Sequence, residues 1–144
     1  MQAFIVEARN HPGELARITE SIAKQGINIE AFCLGYDGTG LAAFLSHDES
    51  GLKRALSTDG ISYKEIPFLT VWLENRPGMV AQTARRLADA GVNIHFLAPV
   101  DYTPDRRATV AIGVDKIDVA RNALTDQLTE WKVPEPVLAG TATR

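Results

Sequence analysis

Apolar and polar residues alternate from the start of the chain. Phe4, Val6 and Ala8 share one face and Ile5 and Glu7 the other, the period of two expected of a half-buried strand. Leu15, Ile18, Ile22 and Ala23 then recur at helical spacing up to Gly26, a helix-stop signal. A second strand follows at once, with Ile27, Ile29, Ala31 and Cys33 directed inward. Asp37-Gly38-Thr39-Gly40 predicts a hairpin turn into a strand over 41–45. A helix over 49–56 and a strand over 61–66 complete the series.

The series then begins again. Asn10-His11-Pro12-Gly13 returns 65 residues on as Asn75-Arg76-Pro77-Gly78, and Gly26-Ile27-Asn28-Ile29 returns in phase as Gly91-Val92-Asn93-Ile94. In-phase matching of this kind marks an internal duplication. The second strand set places Leu69, Val71 and Leu73 inward and Thr70 and Trp72 outward; its helix carries Val80, Ala84, Leu87 and Ala88; its second strand directs Val92, Ile94, Phe96 and Ala98 inward. A longer loop over 101–105 replaces the hairpin turn, before a strand over 108–114 and a helix over 117–128. Only 130–133 is left for a last strand, crowded by Pro134 and Pro136.

Two units are therefore expected, 1–66 and 67–144. Each has the order βαββαβ, the ferredoxin-like arrangement of one antiparallel sheet with both helices on one face, an α+β fold. The opposite face should carry Ile5, Phe32, Leu34, Trp72 and Leu97. An apolar patch of that kind predicts a cover from the other unit, a second chain, or both.

Composition narrows the function. The net charge is −3 and the basic residues are scattered, whereas a nucleic-acid footprint needs a basic face. The strands Gly40–Ser46 and Ala108–Val114 lack the basic-glycine-aromatic run of an RNA-binding sheet. The single cysteine, Cys33, excludes an internal disulfide and suits a reducing compartment; its place in the pattern makes it a core residue. No signal-peptide pattern and no membrane-length apolar run occur, so a soluble, cytoplasmic protein with no membrane partner is expected. The small-residue tail over 139–144 is expected to be mobile. No CxxC, nucleophile elbow or phosphate-binding glycine loop is present, so neither metal, cofactor nor catalysis is implied. His11, His47 and His95 have no ligand-like spacing; His47 reads as a solvated helix cap, and Asp48, Glu49, Asp115 and Asp118 as charges favourable to helix N-termini.

The repeated Asn-x-Pro-Gly carries the most chemistry. Pro suits the first helical position, with Asn or the next residue as cap. A helix start offers free N–H groups to a carboxylate, and glycine there lets a ligand reach the backbone. Asn can bond an α-ammonium or an α-carboxylate. The plainer alternative is that Asn caps, Pro starts the helix and Gly is incidental.

A strand, NxPG, an amphipathic helix and Gly-aliphatic-Asn-Ile, twice over, resemble the ACT domain, an amino-acid-sensing module. The segment from Trp72 to Ile94 is similar to the regulatory domain of phosphoglycerate dehydrogenase. The resemblance implies a small amino acid held between two domains, by the loop of one and the start of strand two of the other. On this chain the loop residues are Asn10, His11 and Gly13, and Asn75, Arg76 and Gly78; the strand residues are Asn28, Ile29 and Glu30, and Asn93, Ile94 and His95. The copies differ at His11/Arg76, Glu30/His95 and Phe32/Leu97, so two such sites would not be equivalent. The resemblance further implies a free-standing tandem regulator, homodimeric, acting on a partner metabolic enzyme. Two rivals stand beside it: a constitutive assembly subunit without a live ligand site, and a small enzyme on the same fold.

Overall fold

The computed structural model describes residues 1–134; Pro136 and the 139–144 tail lie outside them. The elements are β1 (Gln2–Arg9), α1 (Glu14–Ala23), β2 (Glu30–Tyr36), β3 (Thr39–Leu45), α2 (Glu49–Thr58), β4 (Lys64–Glu74), α3 (Met79–Asp89), β5 (Ile94–Tyr102), β6 (Arg107–Val114) and α4 (Ile117–Ala123). The fold is α+β: one antiparallel sheet in the order β2-β3-β1-β4-β6-β5. Among the described residues no helix is long and apolar enough to cross a membrane.

The strands expected over 61–66 and from Leu69 are one strand. β4 pairs with β1 through its first residues (Gln2↔Pro67, Ile5↔Lys64) and with β6 through the rest (Phe68↔Gly113 to Glu74↔Arg107). Phe4 lies opposite Glu65, and strand alternation carries that face on to Leu69, Val71 and Leu73. The helices of both halves therefore sit on the same face of a continuous sheet. Beneath them are two adjoining cores. Phe4, Val6 and Phe44 pack with Ile18, Ile22, Leu52 and Leu56; Leu69, Val71, Val110 and Ile112 pack with Leu87, Ala120 and Leu124.

Four expectations change. In α3 the buried stripe is Met79, Thr83 and Leu87, while Val80 is exposed. Thr83 can be buried because it is hydrogen bonded to the buried Gln127 amide (Nε2 to Oγ1, 3.2 Å). In β5, register shifts between Ile94 and Phe96 and between Pro99 and Asp101 reverse the facing. Leu97 joins the helix-side core, and Phe96 and Ala98 turn to the opposite face, where Phe96 lies over Gly113. Cys33 is exposed, since β2 is an edge strand along which no residue is fully buried. Helix α4 stops at Ala123, short of the expected 128.

The expected strand over 130–133 does not form. Pairing beside β4 is limited to a bridge between Val71 and Leu128, with Trp72 N–H donating to Gln127 O (2.9 Å) and Thr129 N–H to Thr70 O (3.0 Å). Past that point the lane is taken, because Phe68 N–H donates to Met1 O (3.1 Å) and β1 begins there. Joining two strands into β4 leaves the second half no room for its own last strand. Trp131 turns onto the helix-free face and packs among Ala3, Ala43, Leu45, Phe68 and Phe96.

Candidate functional site

Both NxPG loops solve the same backbone problem. Gly13 (φ 88°) and Gly78 (φ 91°) are the N-caps of α1 and α3, in the left-handed region that disfavours a Cβ. This corrects the expectation that Pro would open each helix under an Asn or Arg cap. Proline lies in the preceding turn, and no side chain caps either helix. The loops are tied down elsewhere, Asn10 N–H donating to Gly38 O (2.9 Å) and Asn75 N–H to Arg106 O (2.8 Å). Each glycine is thus required by backbone conformation alone.

At the first loop the side chain of Asn10 lies over Gly35, where a Cβ would be 2.5 Å from Asn10 Oδ1 and 2.9 Å from Nδ2. Around this pair is a cleft of about 130 Å³ between the loop, α1 and the end of the β2–β3 hairpin. Asn10, His11, Glu14, Leu15 and Ile18 line one side, and Cys33, Leu34, Gly35 and Leu41 the other. Glu14 accepts from Arg17 Nη2 at 2.8 Å, and that hydrogen bond chiefly holds its carboxyl below the usual range. Cys33 is exposed on its outer side, yet partial burial beside the cleft pushes its thiol pKa up, which disfavours the thiolate. Arg9, Asn10, His11 and Glu14 give the cleft its polar lining and Leu15, Ile18, Leu34 and Leu41 its aliphatic one, the mixture usual in a small-molecule site.

At the second loop Asn75 and Arg76 face the turn residues Asp105, Arg106 and Arg107 across a broader hollow of about 440 Å³. Arg76 Nε donates to Glu74 Oε2 (2.6 Å), and the Arg107 guanidinium carbon lies 4.6 Å from the Trp72 ring centre.

The strand residues lie elsewhere. Strands β1 and β2 are both antiparallel to β3, so Asn10 ends one strand at the side of the sheet where β2 also ends. Asn28, Ile29 and Glu30 are at the opposite end, about 20 Å away along the seven-residue β2. There Asn28 O accepts from Ser46 Oγ (2.7 Å) and Ile29 packs on the first core. In the second half Asn93 N–H donates to Asp115 Oδ1 (2.9 Å), Ile94 packs on the second core and His95 is exposed; these too are at the far end from Asn75. Within one chain, neither loop meets a strand-two start. The sequence did not point to Gly35 or Leu41, because strand pairing alone brings them to the loop. His47 is not a cap: Asp48 caps α2 by accepting from Gly51 N–H (2.8 Å), and His47 stacks on Trp131.

No family profile and no curated protein matches the chain. Solved structures do. Protein BT0572 from Bacteroides thetaiotaomicron is 21% identical, over 87% of this chain and 86% of that one, with a TM-score of 0.72. The regulatory subunit of aspartate kinase from Thermus thermophilus, in its ligand-free form, is 20% identical over 87% and 90%, with a TM-score of 0.58. A structure of aspartokinase alpha and beta subunits gives 22%, 87%, 90% and 0.59. These likenesses establish a shared fold.

Proposed function

We propose that this chain is a tandem ACT-type regulator, with units 1–66 and 67–144, that binds a small amino acid and passes the signal to a partner enzyme. The observation that carries the reading is the cleft in which Asn10 lies over Gly35, beside the free edge of β2. The fold shared with a regulatory subunit of aspartate kinase supports a regulatory rather than a catalytic role.

A second copy would complete the site. Edge strands are usually blunted by proline, bulges or charge. β5, at one edge, carries Pro99 and two register shifts. β2, at the other, runs regularly from Glu30 to Tyr36 with a single charged residue, and its Phe32, Leu34 and Tyr36 are exposed. Two-fold antiparallel pairing of β2 with its copy, centred on Cys33, puts Gly35 opposite the copy's Ala31 and Tyr36 opposite its Glu30. The copy's Asn28, Ile29 and Glu30 then adjoin the cleft of Asn10 and His11. The dimer unites the residues that one chain keeps about 20 Å apart. Nothing equivalent is open to the second loop, because β5 is a poor edge and Arg76 is engaged by Glu74. In this reading unit one binds the ligand and unit two is structural.

A thermal-shift screen of the twenty amino acids tests the proposal. A ligand at a hundred times its Kd adds about 2.7 kcal/mol of stability, and Asn10→Ala should abolish the shift while Asn75→Ala leaves it intact. If no amino acid raises the melting temperature, the constitutive assembly subunit is the better reading.

A further inference from the structure

The segment from Leu128 to Pro134 belongs to the second half by sequence and touches both halves. Its root is fixed from two sides: on the helix side the Arg86 guanidinium donates to Ala123 O (2.6 Å) and Gln127 Oε1 (3.0 Å), and from β4 Thr70 Oγ1 donates to Thr129 O (2.6 Å). Its middle is Trp131, 7% exposed, whose ring centre lies 6.2 Å from that of Phe68 and 3.9 Å from that of His47. The Trp131 carbonyl also meets His47 Nε2 at 2.9 Å. Its end, Val133 and Pro134, shares a small hollow with Gly26, Ile27, Asn28, Ser46 and Asp48. Thus one stretch of the second half reaches the residues that lead into β2.

We infer that Leu128–Pro134 is a strap by which the second half holds the start of β2, with Trp131 as its anchor and His47 as its latch. The residues that precede β2 lack regular structure between Gly26 and Glu30, so their position depends on what packs against them. In the first half Ser46 Oγ holds Asn28 O, and Ile27 and Ile29 pack on the first core; the strap closes the remaining side. Its bearing on ligand binding rests on the dimer reading above, since Asn28–Glu30 are the residues offered to the copy. The mechanical claim stands without a ligand.

Hydrogen exchange on the full-length, ligand-free protein tests it. Trp131→Ala and His47→Ala should each speed amide exchange over 30–33, the first rungs of the β2–β3 ladder, at least tenfold, with α3 and β6 unchanged. Trp131→Phe, which keeps a ring on Phe68, should restore most of the protection. His47→Ala in a Trp72→Phe background should also raise acrylamide quenching of Trp131, showing that the anchor has loosened. Exchange over 30–33 within twofold of the parent, with quenching raised, overturns the strap. Faster exchange throughout the chain in both variants also overturns it, because Trp131 would then be a general core residue. Neither outcome depends on whether any amino acid binds.

Discussion

Asn10 lies directly over Gly35, at a distance that leaves no room for a Cβ between them. The contact links the end of β1 to the end of the β2–β3 hairpin and fixes where the Asn10 amide points. Gly35→Ala should push that amide out of the cleft while the rest of the fold persists. We expect the ligand-induced thermal shift to be lost at little cost in stability, because the amide is the free end of an exposed side chain that can swing away. Calorimetry with the amino acid found in the screen, beside urea unfolding, separates the two effects. Unchanged affinity would remove Asn10 from the site.

Gly13 and Gly78 make a control pair, because their left-handed geometry is the same and their proposed roles differ. Alanine at either position must adopt a φ near 90°, where glycine rests without cost. Each substitution should lower stability by about 1–2 kcal/mol, read as a lower urea midpoint with an unchanged slope. Only Gly13→Ala should also weaken ligand binding.

Much of this architecture is legible in the sequence, and the limits are specific. The helix-side faces of β1 and β4 follow from simple alternation, and the repeat shows that Phe4 and Leu69 play the same part. What a linear pattern could not show is lane competition. Phe68 bonds to Met1, so a segment at the start of the chain displaces a strand near its end. The β5 shifts have a related origin, since Pro99 lacks an N–H and lies at the second of them. NxPG singles out both loops in the sequence, and the structure gives its glycine a conformational reason. Gly35 has no signal in the sequence, because what it meets is Asn10, in the loop after β1 and 25 residues away.

The proposed dimer has a simple chemical signature. With Cys33 on the two-fold axis, the two thiols lie on directly opposed residues, whose Cα atoms in antiparallel pairs are about 4.5–5.5 Å apart. A short bis-maleimide should join two chains through Cys33 in high yield. Leu34→Lys, which places like charges beside the axis, should abolish the cross-link and shift sedimentation towards the monomer. A parent protein that sediments as a monomer at tens of micromolar would exclude β2 pairing.

The Arg86–Asp126 pair makes a prediction about acid. Its hydrogen bond to Arg86 lowers the Asp126 pKa below the ordinary aspartate value. A carboxylate with a depressed folded pKa stabilises the fold fully above its unfolded pKa, and that contribution is lost as pH falls through the folded value. The window therefore lies below about pH 4, the range of an unperturbed aspartate. Asp126→Asn removes the titration, so the parent and the variant should differ in melting temperature at pH 6 and draw together as the pH falls through that window. Arg86 also grips Ala123 and Gln127 at the root of the strap. Arg86→Ala should accordingly cost more at pH 6 than Asp126→Asn, and the excess should persist in acid. If both variants lose the same stability at both pH values, Arg86 acts through the ion pair alone and the strap is rooted by Thr70 and Gln127.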